Sequence, residues 1–252
     1  MFDCSFLPQA QFEFVVVSDT HYMLDPGPQA VEFESRRRQT ARAERALSLI
    51  ASLDPPLVIH LGDLVQEYPE TLRHKQAMAE AHEQLQRCGV RPRHVAGNQD
   101  IGDKPDPTMP TQWVTSESLA AFHAWCGPSW YSWDQGSIHF VVLNSQILNT
   151  ALPEAVEQQG WLEADLQTHR GRRIFLFLHL SPFLKHEHEP ALGHYDNIAE
   201  PARSWLLNLL CQYRVELLFS GHSHFFFFNR LGQTRCLVTP STSFTRPGFS
   251  QA

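Results

Sequence analysis

The stretch Arg93-His94-Val95-Ala96-Gly97-Asn98-Gln99-Asp100-Ile101-Gly102 closes an apolar run and opens a turn. Val95 and Ala96 suit a short buried strand, and Gly97-Asn98 suits the tight turn at its end. The same grammar recurs four times. Phe12 to Val17 leads into Ser18-Asp19-Thr20-His21, and Leu57 to Leu61 leads into Gly62-Asp63. Arg173 to Leu178 leads into His179, and Glu216 to Phe219 leads into Ser220-Gly221-His222-Ser223-His224. Apolar runs of this length read as strands buried on both faces. Strands lying side by side bring their ends together, and the polar residues at those ends converge.

Helical patterns separate the runs. One is predicted from Val31 or later to Leu53, with Leu47, Ile50 and Ala51 on one face and Pro55-Pro56 stopping it. A second spans Thr71 to Cys88, with Gly89 at the C-cap position. Asp103 to Pro110, with Pro105 and Pro107, reads as a surface loop, and Ser116 as the cap of a helix ending at Cys126-Gly127. Tyr131–Trp133 and Ile138–Leu143 read as a hairpin through Asp134-Gln135-Gly136. Gln158–His169 reads as a helix, and Pro201 as the first turn of another carrying Leu206, Leu209 and Leu210 inward. Phe225–Phe228 and Arg235–Val238 read as a closing hairpin through Leu231-Gly232. Pro240-Ser-Thr-Ser-Phe-Thr-Arg246 shows no regular element and reads as a short C-terminus.

Composition narrows the class. A chain of 252 residues with 42% hydrophobic content suits a one-domain α/β or α+β enzyme. A net charge of −7 argues against a module held to nucleic acid by a general basic field. Arg36-Arg37-Arg38 and Arg170 to Arg173 read as solvated faces. No apolar stretch is long enough to span a membrane, and Met1 to Gln11 lacks the features of a signal peptide, so a cytoplasmic protein is expected. Cys4, Cys88, Cys126, Cys211 and Cys236 are widely spaced and suit a reduced compartment.

The ligand-type residues at the strand ends are Asp19, His21, Asp63, Asn98, His179, His222 and His224. That set is too large for one metal ion and suits two that share a bridge. Asp63 is the natural bridge, because one carboxylate can hold two ions about 3.5–4 Å apart. Nitrogen and oxygen donors without a thiolate favour two divalent ions of Mn, Fe or Zn. Two such ions with Asp19, Asp63 and a bridging hydroxide leave a charge of about +1, which attracts an anion such as a phosphoryl group. His60, His94 and His139 lie inside strands and read as satisfied core histidines; His123 and Trp125 read as helix core.

Asp19-x-His21, Gly62-Asp63, Gly97-Asn98-x-Asp100, His179 and Gly221-His222-x-His224, in that order, resemble the calcineurin-like metallophosphoesterase superfamily. The resemblance implies a single domain over residues 1–252 in the α/β (α+β) class. Its architecture would be a four-layer αββα sandwich, two mixed β-sheets face to face with helices outside. It implies Asp19, His21, Asp63 and His224 on one ion, and Asp63, Asn98, His179 and His222 on the other. The activity implied is hydrolysis of a phosphate mono- or diester by a hydroxide bridging the two ions. Leu143-Asn144-Ser145-Gln146, with Trp161-Leu162 and Tyr195, resembles a branch with phosphoprotein phosphatase-like members. The expected partner is therefore a small-molecule or phosphoprotein phosphate ester, with no membrane and no nucleic acid.

Two positions depart from the pattern. The resemblance implies a histidine at position 99 that touches phosphate and protonates the leaving oxygen. Gln99 can donate a hydrogen bond there but cannot deliver a proton at neutral pH, and Asp100 loses the histidine it would orient. The catalytic set read from the sequence is Asp63, Asn98, Gln99, Asp100 and the loop residue His188, with His186 and His194 as its neighbours in the role of replacement proton donor. Purple acid phosphatases carry a metal-bound tyrosine three residues after the Gly-Asp aspartate; here that residue is Gln66, and Tyr68 stands two places later. The alternative from another class is a metal-binding, catalytically weakened scaffold that uses the same fold to bind a partner protein.

Overall fold

The computed structural model describes residues 10–109, 111–190 and 197–244. Cys4, Pro110, His194, Tyr195, Thr245 and Arg246, singled out above, lie outside the described residues. The first half forms β1 (Val15–Val17), α1 (Gln39–Leu53), β2 (Val58–His60), α2 (His74–Arg87) and β3 (Arg93–His94). A short helix α3 (Asn98–Ile101) follows, then α4 (Ser116–Cys126). The second half runs β4 (Tyr131–Gln135), β5 (Ile138–Val142), α5 (Pro153–Thr168), β6 (Arg173–Phe177), α6 (Ala202–Gln212), β7 (Leu217–Ser220), β8 (Phe227–Leu231) and β9 (Thr234–Val238).

β1, β2 and β3 pair in that order to form the first sheet; the second has the order β4-β5-β6-β7-β9-β8. Both sheets were expected to be mixed. The second is, with β4 and β8 antiparallel at its edges. The described strands of the first are all parallel, because each returns through a helical crossover and not a hairpin. Phe14, Val16, Ile59 and Leu61 on one side meet Phe140, Val142, Phe175 and Phe177 on the other in the core between the sheets. Those that are fully buried, such as Ile59, Leu61, Phe140 and Phe177, contribute roughly 1.5–3 kcal/mol each. α1 and α2 cover the outer face of the first sheet through Leu47, Ile50, Met78 and Leu85. α5 and α6 cover the second through Leu162, Leu166, Leu206 and Leu210. The order helix, sheet, sheet, helix is the four-layer arrangement.

Several boundaries differ locally. α5 begins at Pro153, five residues before the expected Gln158, with the proline in its first turn where a missing N–H costs nothing. The cap of α4 is Thr115, not Ser116: its side chain accepts from Ser118 N–H in a capping box. The C-terminal end of α2 matches the expectation, since Val90 N–H bonds Leu85 O and Gly89 N–H bonds Gln86 O, with Gly89 at φ 73°.

What positions the site is the parallel direction of the central strands. Beyond β1 and β2 the ladder continues into the loops: Asp19 N–H bonds Gly62 O, and His21 N–H bonds Asp63 O. In the second sheet Gly221 N–H bonds His179 O. The loops after β1, β2, β3, β6 and β7 therefore meet at one edge of the sandwich.

Candidate metal centre

The seven ligand-type residues come together, all buried. Asp19, His21 and His224 form one group, and Asp63, His179 and His222 a second. Asn98 joins the second, its Oδ1 lying 3.1 Å from His179 Nε2. Asp63 stands between the groups. Its Oδ2 is 3.7 Å from His21 Nε2 and its Oδ1 is 3.4 Å from His179 Nε2.

The backbone is strained where the candidate ligands sit. Asp19, His21, Asp63, His222 and His224 all have φ between 45° and 67°. L-residues avoid this region at a cost of order 1–3 kcal/mol each. His222 and His224 are two residues apart and would share one face of a strand; in this backbone they diverge, one to each group. Close approach of the loops adds to the strain. Gly62 has φ 98°, and a Cβ there would lie 2.7 Å from Gly97 N and from His179 Nδ1.

Hydrogen bonds orient the donors. His179 Nδ1 donates to Leu61 O at 2.7 Å, which aims Nε2 at the centre. That Nε2 lies 3.1 Å from His222 Nδ1, and His21 Nε2 lies 3.0 Å from His224 Nε2. Asp19 Oδ2 accepts from Ser18 Oγ and from His222 N–H. Its Oδ1, fully buried, has no hydrogen-bond partner and faces His224 Nε2 at 3.4 Å. Converging imidazole nitrogens and a buried carboxylate oxygen left over are what divalent cations require, so the residues present fit a two-ion centre.

Electrostatics agree. Burial lowers His21 to about 4 and His222 to about 3, keeping both neutral and able to ligate. Burial opposes charge on His179 as well, but Asp63 above all, with Asp19, lifts it to about 9. Burial would raise Asp19 and Asp63; the surrounding imidazoles, His224 first for Asp19 and His179 first for Asp63, hold both below the usual carboxylate range. A field that favours a proton on His179 also favours a cation.

The departures at 99 and 100 take a different form from the one expected. Asp100 has no histidine to orient, as expected, and engages backbone instead. Its carboxylate accepts from Asp63 N–H, Leu64 N–H and Gly97 N–H, each at 2.9 Å, and so ties two ligand loops together. Burial, then the charge of Asp63, push its pKa up to about 7 against the pull of those donors. Gln99 is buried. Oriented to satisfy its surroundings, its amide nitrogen donates to Gln66 O at 2.6 Å and Val65 O at 3.1 Å. In that orientation both amide protons face backbone carbonyls, with which a phosphate would compete for them.

His188 and His186 are exposed, and no described contact joins either to the ligand groups. Their loop is wound around Glu189, whose carboxylate accepts from Leu184 N–H, Lys185 N–H, His186 N–H and Asn197 Nδ2. His60 behaves as expected. Gly62 N–H donates to its Nδ1, its Nε2 pairs with Thr20 Oγ1, and burial lowers it to about 4. Gln66 turns its Oε1 to Arg36 and Gln39.

A third group, Asp134, His139 and His169, lies apart on β4, β5 and the C-cap of α5. His139 Nδ1 is 2.8 Å from Asp134 Oδ1, and its Nε2 is 2.8 Å from Asp165 Oδ2. Burial lowers its pKa, but Asp165 and Asp134 outweigh that and raise it. The His169 ring stacks on it at 3.6 Å and 13°, so the in-plane lone pairs run parallel and do not converge. Arg172 already pairs with Asp134 at 2.9 Å. The two carboxylates on His139 favour a proton there, and the stacked rings aim no shared set of lone pairs at an ion.

The sequence profile of the calcineurin-like phosphoesterase family matches residues 12–226. The serine/threonine-protein phosphatase CPPED1 of Danio rerio is 28% identical over 203 residues, 77% of this chain and 61% of that protein. The chain thus spans about three fifths of the length of the curated relatives it matches. Among solved structures, a dimetal phosphatase from Danio rerio aligns over 93% of this chain and 88% of its own, with TM-score 0.63 and 15% identity. A purple acid phosphatase from yellow lupin (Lupinus luteus) aligns over 94% of this chain and 46% of its own, with TM-score 0.61 and 16% identity. At these identities the two structures speak to the fold.

Proposed function

Since the chain belongs to the calcineurin-like phosphoesterase family, we propose that it hydrolyses phosphoric esters at a centre of two divalent metal ions. The observation that carries this reading is Asp63, whose two oxygens face one ligand group each. Asp19, His21 and His224 hold one ion with Asp63; Asn98, His179 and His222 hold the other. Mn, Fe or Zn suits these donors. When bound, two such ions supply Lewis acidity, acidify a water and clamp the oxygens of an in-line displacement. The chain's own residues fix the geometry. His179 Nδ1 on Leu61 O and the three donors on Asp100 set the second group, and the strained loops hold Asp19 and His21 against Asp63.

No proton is delivered from position 99. Losing a general acid costs about 10²–10⁴-fold where the leaving oxygen needs a proton, and little where it does not. The preferred substrates are therefore esters and anhydrides with good leaving groups, phosphoryl tyrosine or aryl esters before alkyl ones. The zebrafish relative's name, a serine/threonine-protein phosphatase, supports a phosphoprotein substrate; phosphoserine and phosphothreonine are alkyl esters, so the preference for good leaving groups rests on position 99 alone.

The test is a series of phosphate esters of graded leaving-group pKa, run with wild type, Gln99→His and His188→Ala. A steep dependence in wild type that flattens in Gln99→His supports the reading. A flat dependence in both sinks it. A dependence that steepens in His188→Ala assigns the proton to His188, and an unchanged one removes it from the catalytic set.

A further inference from the structure

Ser241-Thr242-Ser243-Phe244, a stretch without regular structure, folds back over the first ligand group. Ser241 Oγ and Ser243 Oγ both donate to the Asp19 carbonyl at 2.9 Å, which fills both of its lone pairs. Thr242 N–H and Thr242 Oγ1 both donate to the Ser18 carbonyl, at 3.0 and 2.7 Å. On its other side Asp19 N–H donates to Gly62 O at 3.1 Å. The strained peptide at Asp19, φ 52°, is thus held from both directions. The stretch is itself anchored, since Arg42 Nη1 donates to Ser243 O at 2.8 Å from α1.

Phe244 continues the same contact. Its buried ring lies 5.2 Å from the His21 ring and 4.5 Å from the His224 ring. Arg36, expected to be solvated, lies 4.7 Å from the Phe244 ring and 4.8 Å from Phe33, with Glu32 and Gln66 on its guanidinium. All three members of the first group are touched: Asp19 through its carbonyl, His21 and His224 through their rings. The second group is braced by other residues, Leu61 O on His179 and Asp100 on the Asp63 loop.

We propose that Ser241–Phe244 is a positioning clasp for the ion held by Asp19, His21 and His224. None of its side chains supplies a ligand atom. It fixes the direction in which the Asp19 carboxylate and the two imidazoles point, and so sets the affinity of one ion without setting that of the other. The proposal rests on the two-ion reading above.

The test is equilibrium dialysis of the full chain against Mn²⁺ or Zn²⁺, with elemental analysis and a thermal melt of each variant. Wild type retains two equivalents. Ser241→Ala/Ser243→Ala and Phe244→Leu each weaken one equivalent by about 10–100-fold, as loss of groups orienting a ligand does, and leave the other unchanged. His21→Ala loses the same equivalent, which identifies it. Ser241→Thr, which keeps the hydroxyl, retains wild-type affinity. If the double variant fails to fold, Ser243→Ala alone gives the same reading. Two wild-type equivalents with parallel weakening of both ions, or with no weakening, overturn the clasp alone. Fewer than two in wild type overturns the two-ion reading and the clasp with it.

Discussion

His179 and His139 are both buried histidines beside aspartates, and both have a raised pKa. Their surroundings make them different devices. His139 has a carboxylate on each nitrogen, a histidine ring stacked on its face and an arginine on one of its aspartates. Everything around it accepts a proton or balances one. His179 has one nitrogen tied to a backbone carbonyl and the other in a ring of donor atoms: Asn98 Oδ1, His222 Nδ1 and Asp63 Oδ1. The lone pairs in that ring converge. Residue types alone do not separate the two clusters. Lone-pair direction does, and direction is imposed by left-handed backbone at five ligand positions around His179.

The largest expected effect is at the bridge. Asp63→Ala removes the carboxylate both groups share; metal content falls below two equivalents, and ester hydrolysis falls by at least about 10²-fold. Elemental analysis and initial rates check this. Asp134→Ala, removing a carboxylate of the other cluster, leaves metal content and rate unchanged. A loss of metal in Asp134→Ala would erase the distinction.

The next effect separates the clusters through stability. Asp165→Asn breaks a charge-assisted hydrogen bond to His139, costing about 2 kcal/mol, or a fall in Tm of about 4–8 °C for a chain of this size. It leaves metal content alone. A melt unchanged by the substitution would show that the clamp holds nothing.

The smallest effect is in pH dependence. The His139 pKa is raised in the folded protein above its unfolded value of about 6.5. Its contribution to stability is therefore fully present below about pH 6.5 and is lost as pH rises through the raised value. Melts of wild type across that window decline relative to Asp165→Asn, in which the slope flattens. Equal slopes would contradict the assignment of a proton to His139.

Much of the centre was legible in the sequence, for a physical reason. A ligand-type residue carried at the end of a buried parallel strand is announced by the apolar run before it, so the candidates Asp19, Asp63, Asn98, His179, His222 and His224 stand out in order. His21 follows from Asp19. The strands and helices of a one-domain α/β or α+β chain were legible for the same reason; the four-layer arrangement came with the family resemblance. What was not legible depends on contacts between residues far apart. Ser241 and Ser243 meet Asp19 across more than two hundred positions, and serines in a loop carry no period to reveal them. The direction of the Gln99 amide is set by the Val65 and Gln66 carbonyls, and nothing at position 99 states it. That Asp100 works without a histidine was hidden because its partners are backbone N–H groups, which no side-chain pattern records. The parallel first sheet follows from helical crossovers that were themselves correctly expected; the mixed pattern came with the resemblance.

The measurement that tests the account most directly is anomalous diffraction from crystals of the protein loaded with Mn²⁺ or Zn²⁺. Two peaks are expected, one on each side of Asp63: the first among Asp19, His21 and His224, the second among Asn98, His179 and His222. None is expected beside Asp134, His139 and His169. A single peak, or a peak at the stacked histidines, would contradict it.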